Sequence, residues 1–327
     1  MASAHTVVWQ RATVIENVAL TPAIRRIVFR TEHPVKAPPG SHIDVRVSID
    51  GDDATRSYSI VDAASAGETL AISVFESEAS RGGAAVMHAL RAGDVVEMTE
   101  PLQDFPLRLG APSYVLLAGG VGITAIAGMA ASLAAAGADY RVVYCGRSRA
   151  HMAYLTELEG AHGDRLEVHV RDEGTTLDVT DLVSRVDPAG ELYMCGPIRL
   201  MDAVRRAWVE RELSPAQLRF ETFGNSGWFQ AEPFTVRVPA LDVETVVPPS
   251  ATLLEALELA GVEALFDCRK GECGLCEARV LDVQGVIDHR DVFYSERQRD
   301  ANSRICVCVS RVCELGQGSG SITLQLS

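Results

Sequence analysis

A chain of 327 residues is too long for one ordinary hydrophobic core and allows two or three domains. Its 30 basic and 44 acidic residues give a formal charge of −14, which argues against nucleic acid or an anionic membrane as partner and suits a protein with a basic patch. Eight cysteines in so long a chain do not make a disulfide scaffold. The opening residues, Met1 to Val14, show no basic segment followed by an apolar run, so no secretory signal is read and a reducing, cytoplasmic setting is expected.

Residues 1–110 read as β-rich. Short apolar or alternating runs at Val14-Ile15, Ile24–Phe29, Ile43–Val47, Tyr58–Val61, Leu70–Val74 and Val95–Met98 are separated by turn signals such as Pro38-Pro39-Gly40. Strands at this spacing predict an antiparallel barrel, with a single helix near Ala84–Leu90. Within it, Arg56-Ser57-Tyr58-Ser59 combines a guanidinium, hydroxyls and an aromatic ring, the groups that bind a phosphate and line a planar ring. Arg81-Gly82-Gly83, ahead of the helix, offers a second anion site of backbone N–H groups and a guanidinium.

Residues 111–226 change rhythm. Strand-like runs (Tyr114–Ala118, Tyr140–Tyr144, Leu166–Val170, Glu191–Met194) alternate with helical stretches (Ile123–Ala136, Tyr154–Glu159, Leu177–Arg185, Leu200–Glu212), which predicts a parallel sheet covered by helices. The uncharged stretch Tyr114–Ala138 is long enough to span a bilayer, but its Gly turn and Ala-rich second half read as a buried strand–loop–helix. Gly119-Gly120-Val121-Gly122-Ile123-Thr124 lies at that turn, where bare backbone and a helix N-terminus suit a pyrophosphate. The next strand ends at Tyr144-Cys145-Gly146-Arg147-Ser148 without the ribose-binding acid of an ordinary Rossmann site. Cys195-Gly196-Pro197 forms a second turn at the end of a later strand. The two turns together predict a dinucleotide crevice, with Arg147, Ser148 and Arg149 placed to receive a 2′-phosphate if there is one.

Residues 227–233 read as a linker and 234–327 as a third domain. Phe234–Val238 and Val243–Val247 are strands. Thr252 and Glu255 form a capping box that opens a helix through Ala260, and Gly261 stops it. Further strands follow at Arg279–Leu281 and Ile322–Leu326. Between them Cys268, Cys273 and Cys276 stand in C-x4-C-x2-C spacing, with Cys306 or Cys308 about thirty residues on, the plant-type ligand pattern of a [2Fe–2S] cluster. Gly271 and Gly274 let the loop curl. Buried free cysteines or a zinc knuckle are the competing readings; zinc sites more often pair CxxC units or use histidine. Strand alternation leaves Cys306 and Cys308 equivalent, since residues two apart face one side. A hydride brings two electrons and such a cluster takes one, so a flavin is chemically required between them.

Together these residues resemble phthalate dioxygenase reductase and its relatives, including vanillate demethylase reductases, over nearly the whole chain. The family's R-x-Y-S motif is similar to Arg56–Ser59, its RGG turn to Arg81–Gly83, its GG-I/V-GIT motif to Gly119–Thr124 and its Cys-Gly-Pro to Cys195–Pro197. Its E-S/T-F-G segment matches Glu221–Gly224, and its D-H-R-D segment matches Asp288–Asp291. The resemblance implies a flavin-binding β-barrel, a nucleotide-binding α/β domain and a C-terminal β-grasp ferredoxin. It also implies FMN in place of FAD, NADH more than NADPH, an aromatic (Phe223) stacked on the flavin, and Cys308 as fourth cluster ligand. The chain departs from the family at Ala84, Ala125 and Lys270, where the family has a hydroxyl residue, a proline and a small hydroxyl residue. The implied function is a monomeric electron-transfer reductase that serves a terminal oxygenase, most simply a Rieske-type aromatic oxygenase or O-demethylase. Alternatives are the reductase of a haem-thiolate monooxygenase and a flavin/iron–sulfur redox sensor. No side chain is needed as general acid, base or nucleophile, because the cofactors carry the chemistry.

Overall fold

Hydrophobic residues fall on every second position of the N-terminal strands, and that face closes on itself. In a computed structural model, which describes residues 7–49, 51–64, 66–77, 82–223, 227–314 and 320–326, the chain divides into two units. The first is Met1–Gly196 with Ala203–Glu221, and the second is Pro197–Asp202 with Thr222–Ser327.

In the first unit β1 (Trp9–Thr21), β2 (Ile24–Thr31), β3 (His42–Ile49), β4 (Asp52–Ala63), β5 (Thr69–Phe75) and β6 (Val95–Thr99) form a closed barrel in the order β1-β2-β5-β4-β3-β6. The register from Trp9↔Thr99 to Thr13↔Val95 joins β6 back to β1, so the sheet has no open edge. Ile27 and Phe29 on β2, and Ile43 and Val45 on β3, are fully buried at alternate positions. Between β5 and β6 runs α1 (Gly83–Ala89). Its C-terminal carbonyls are satisfied from across the barrel: Asn17 Nδ2 donates to Leu90 O at 2.8 Å and Met87 O at 3.2 Å. Arg25 Nε holds the other end of that amide, donating to Asn17 Oδ1 at 2.8 Å.

The same unit contains β7 (Tyr114–Gly119), α2 (Ile123–Ala135), β8 (Tyr140–Gly146), α3 (Leu155–His162), β9 (Leu166–Val170), α4 (Val179–Ser184), β10 (Glu191–Cys195) and β11 (Leu218–Glu221). The intervening α5 (Ile198–Glu210) spans the division between the units. All five strands are parallel, in the order β11-β10-β7-β8-β9. From β7 the chain moves outward through β8 and β9, then returns to add β10 and β11 on the other side. The strand order therefore reverses between β7 and β10, where ligands settle in open α/β sheets. The uncharged stretch Tyr114–Ala138 is β7 and α2, and among the described residues no helix is long and apolar enough to cross a membrane.

In the second unit β12 (Phe234–Val238), β13 (Val243–Val247), β14 (Glu277–Gln284), β16 (Arg304–Cys306) and β18 (Gly320–Leu326) form a sheet in the order β13-β12-β18-β14-β16. Across one face lies α6 (Leu253–Leu259), which buries Leu253, Leu254 and Leu257 in a core with Val236, Ile322 and Leu324. Its capping box is formed: Thr252 Oγ1 accepts from Glu255 N at 3.0 Å, and Glu255 Oε2 accepts from Thr252 N at 2.7 Å. The short β15 (Val286–Asp288) and β17 (Arg311–Cys313) pair separately, and α7 (Glu296–Asp300) lies between β15 and β16 in sequence. These pieces, with β11, are too short to carry a period, and the sequence reading lacked them. The mixed sheet with a crossing helix is the β-grasp ferredoxin arrangement. Residues read as a linker are fastened to this unit: Asp288 Oδ1 accepts from Trp228 N at 2.9 Å, and Arg311 Nη2 donates to Glu232 O at 3.1 Å.

Candidate flavin, nucleotide and iron–sulfur sites

The segment Arg56–Ser59 lies on β4, paired residue for residue with β3 from Val45 to His42. Ser57 Oγ donates to Asp44 Oδ1 at 2.5 Å on the exposed side of this pair. Tyr58 packs against the barrel core, and its burial, only partly offset by the Arg56 charge, raises the phenol so that it stays neutral. The stem of Arg56 lies on the bare Cα of Gly83, where a Cβ would come within 2.9 Å of Arg56 Cγ. At Gly82 the backbone is left-handed (φ +85°) and a Cβ would meet Ile49 Cγ2 at 2.7 Å, so neither glycine tolerates a side chain. Arg81 lies outside the described residues, as does Gly224. A contact that sequence reasoning did not assign completes this end of the barrel. Glu221, at the end of β11 and 3% exposed, accepts a hydrogen bond from Ser59 Oγ at 3.1 Å. Its only signal in the sequence was its place beside Phe223, which is half-buried.

The two glycine turns of the nucleotide site meet back to back at the reversal point. Ala118 on β7 is the register partner of Cys195 on β10. A Cβ on Gly122 would lie 2.1 Å from the Cys195 carbonyl oxygen, and one on Gly196 would lie 3.1 Å from Gly119 Cα. Gly120 is glycine for a different reason, a left-handed φ of +56° in open space. Ile123 is wholly buried at the start of α2, and its backbone N–H closes the turn onto the Gly120 and Val121 carbonyls. Thr124 is also buried, and its hydroxyl donates to Val121 O at 2.9 Å, bracing the turn. At the end of β8, Arg147 is exposed, while Ser148 Oγ is bonded to His151 Nδ1 at 2.6 Å. Arg149 is ion-paired with Glu173 at 2.7 Å and Glu159 at 3.3 Å. Burial, and next the charge of Glu167, push the Cys145 thiol up to about 12, so it is no nucleophile.

In the second unit the cysteine loop curls through left-handed Arg269, Gly271 and Gly274 (φ +50°, +76° and +76°). This turns the backbone N–H groups of Lys270, Glu272 and Cys273 onto Cys268 Sγ, each at 3.4 Å. A Cβ on Gly274 would strike the Phe293 ring at 2.3 Å. Thr222 braces the loop: its Oγ1 donates to Lys270 O at 2.5 Å, and its N donates to Glu272 Oε1 at 2.6 Å. The Cys308 thiol lies within hydrogen-bonding reach of Cys268 and Cys276, and the Cys306 thiol within reach of Cys276. Contact with Cys308, helped by the three N–H groups, lowers the Cys268 thiol against its burial. Contacts with Cys306 and Cys308 likewise lower Cys276.

Alternation does not relate Cys306 to Cys308 after all: β16 ends at Cys306, and Val307–Val309 form a turn. Among the described residues no three His, Cys, Asp or Glu side chains gather as a single-ion site. The thiols meet in a chain, Cys273 with Cys268, Cys268 with Cys308 and Cys308 with Cys276, and a two-iron cluster draws its four thiolates from such a gathering. With N–H groups already aimed at sulfur, the donor set fits such a cluster. Cys313, on β17, is buried and directs its thiol to Gln230 O at 3.7 Å.

Three families match the chain in succession: an oxidoreductase FAD-binding domain over residues 11–106, an oxidoreductase NAD-binding domain over 116–206, and a 2Fe-2S iron-sulfur cluster binding domain over 237–313. The phenoxybenzoate dioxygenase subunit beta of Ectopseudomonas oleovorans is 34% identical, over 88% of this chain and 87% of its own. The solved structure of phthalate dioxygenase reductase superposes with a TM-score of 0.73 at 27% identity, covering 97% of this chain and 98% of that one. An intact type IV self-sufficient cytochrome P450 monooxygenase matches 97% of this chain with 41% of its own, at 32% identity and a TM-score of 0.65.

Proposed function

The chain belongs to the phthalate dioxygenase reductase family, and on that premise we propose that it carries electrons from NADH through FMN and a [2Fe–2S] cluster to a Rieske-type oxygenase. It is an oxidoreductase with flavin, nicotinamide and 2Fe–2S domains, the reductase component of an oxygenase system. The observation that carries the reading is the curl of the cysteine loop, which aims three backbone N–H groups at Cys268 Sγ, since a chain ending at the flavin has no use for such a loop.

When bound, the flavin accepts a hydride and the cluster accepts electrons singly, so the residues of the chain bind, orient and exclude water. Arg56–Ser59 and Arg81–Gly83 hold the FMN phosphate and ring edge, with Phe223 as the stacking aromatic. Gly119, Gly120, Gly122 and the turn that runs on through Ile123 and Thr124 cradle the pyrophosphate, and Cys195-Gly196-Pro197 flanks the nicotinamide. Cys268, Cys273, Cys276 and Cys308 are the cluster ligands. The RGG turn supports FMN. Arg149, committed to Glu173 and Glu159, supports NADH, because a 2′-phosphate would have to compete with two carboxylates for it.

The test is direct. Flavin released from the purified protein is identified by mass, and cytochrome c reduction is compared with NADH and NADPH. FMN, a clear NADH preference and rapid turnover are expected. FAD or an NADPH preference overturns the corresponding assignment, and negligible turnover favours a sensor. The match to a cytochrome P450 monooxygenase supports a second reading, a haem-thiolate partner. Reconstitution with an oxygenase of each class separates the two.

A further inference from the structure

The segment Asp288–Asp291 has no part in the function above, yet its acidic and imidazole side chains are buried: Asp288 is 1% exposed, His289 7% and Asp291 0%. Its residues face alternate ways. Asp288 and Arg290 pair with each other at 2.7 Å and grip the backbone at Trp228 and Phe229. Asp291 turns the other way, toward the cysteines. Its Oδ1 accepts from Ser310 Oγ at 3.2 Å and lies 3.4 Å from His289 Nδ1. Its Oδ2 accepts from Tyr294 N at 3.0 Å and lies 3.8 Å from Arg299 Nε.

The Asp291 segment touches both ligand-bearing segments, one through the carboxylate and the other through its backbone. Ser310 follows the Cys308 turn and is tied to it by its own N–H, which donates to Cys306 O at 3.1 Å. On the other side, Val292 N donates to Gly271 O at 3.0 Å, in the middle of the Cys268–Cys276 loop. Gly271 presses so closely that a Cβ there would come within 2.9 Å of Asp291 Cα. A buried carboxylate is costly unless bonded; this one is bonded to Ser310 beside the Cys308 turn, while the backbone of the same segment is held against Gly271 in the other loop.

We propose that Asp291 is a positioning residue for the iron–sulfur cluster: its backbone and carboxylate join the Cys268–Cys276 loop to the Cys308 turn, and it places a fixed negative charge beside that turn. The proposal rests on cluster binding as described above. Hydrogen bonds and charge close to the sulfurs set the potential of such clusters, so a carboxylate beside that turn disfavours the added electron.

The experiment uses the full-length holoprotein. Iron and acid-labile sulfide are assayed, visible circular dichroism is recorded, and the cluster midpoint is measured by EPR-monitored titration for wild type, Asp291→Asn and Ser310→Ala. Asp291→Asn is expected to raise the reduced-to-oxidised ratio at fixed potential at least tenfold, about 59 mV for one electron. Ser310→Ala removes a single link and is expected to keep full iron while its dichroism changes and its midpoint moves. Wild-type potential and dichroism in both variants overturn the proposal. If Asp291→Asn yields no soluble protein, Ser310→Ala decides alone. A wild-type protein without iron and sulfide instead removes the functional reading itself.

Discussion

Ser59 and Glu221 stand 162 positions apart in the chain, and the hydroxyl of the first donates to the buried carboxylate of the second at 3.1 Å. The bond joins barrel strand β4 to β11, the last strand of the parallel sheet. Removing a donor from a buried carboxylate costs about 1–3 kcal/mol. Ser59→Ala is therefore expected to lower the melting midpoint by roughly 2–10 °C. It is also expected to slow flavin reduction by NADH in stopped flow, with Ser59→Thr recovering much of the loss. An unchanged melting curve and rate in the alanine variant would remove Glu221 from the site.

Gly122 is glycine for want of space, since its φ lies in the ordinary helical region and the Cys195 carbonyl occupies the position of a Cβ. Gly122→Ala is expected to push the two nucleotide turns apart. KM for NADH should rise at least tenfold while flavin and iron content stay at wild-type levels. Unaltered steady-state kinetics would show that the turns do not form the nucleotide crevice.

The two cysteines at the end of β16 separate cleanly by their contacts. Cys308→Ser is expected to abolish the cluster's visible and EPR signals and keep NADH-to-ferricyanide turnover through the flavin. Cys306→Ser is expected to retain both, because Cys308 lies within reach of both Cys268 and Cys276. Bleaching by Cys306→Ser is the result that would reverse the ligand assignment.

Glu167 supplies a pH test of the first unit. Burial alone would raise its carboxyl, but hydrogen bonds from Arg185, His169 and Arg141 outweigh that and bring it from the usual 4.5 to about 2. The unfolded chain therefore takes up this proton first, and the stabilisation present above pH 4.5 is lost as pH falls toward about 2. Glu167→Gln is expected to melt a few degrees below wild type at pH 7, with the gap closing as pH falls from 4.5 toward about 2. A gap that stays constant with pH would mean the carboxylate contributes no charge-dependent stability.

What could be read directly from the residues was short in range. The spacing of Cys268, Cys273 and Cys276, the Thr252–Glu255 capping box, the alternation of β2 and β3, and the glycines between β7 and α2 each act within a few residues, so the pattern and its cause lie on the same stretch of chain. Phosphate and sulfur both need bare backbone at set intervals, and that leaves glycines in the sequence.

The contacts that only the tertiary structure decided are those in which a polar atom finds its partner far along the chain. Nothing near Glu221 points to Ser59, nothing near Asn17 points to the carbonyls ending α1, and Asp291 looks like any charged residue until Gly271 and Ser310 close on it. The meeting of Cys308 with Cys268 is of the same kind, because β16 stops at Cys306 and a turn follows it. A buried donor or acceptor must be satisfied wherever the fold brings a partner, and local periodicity carries no record of where that is.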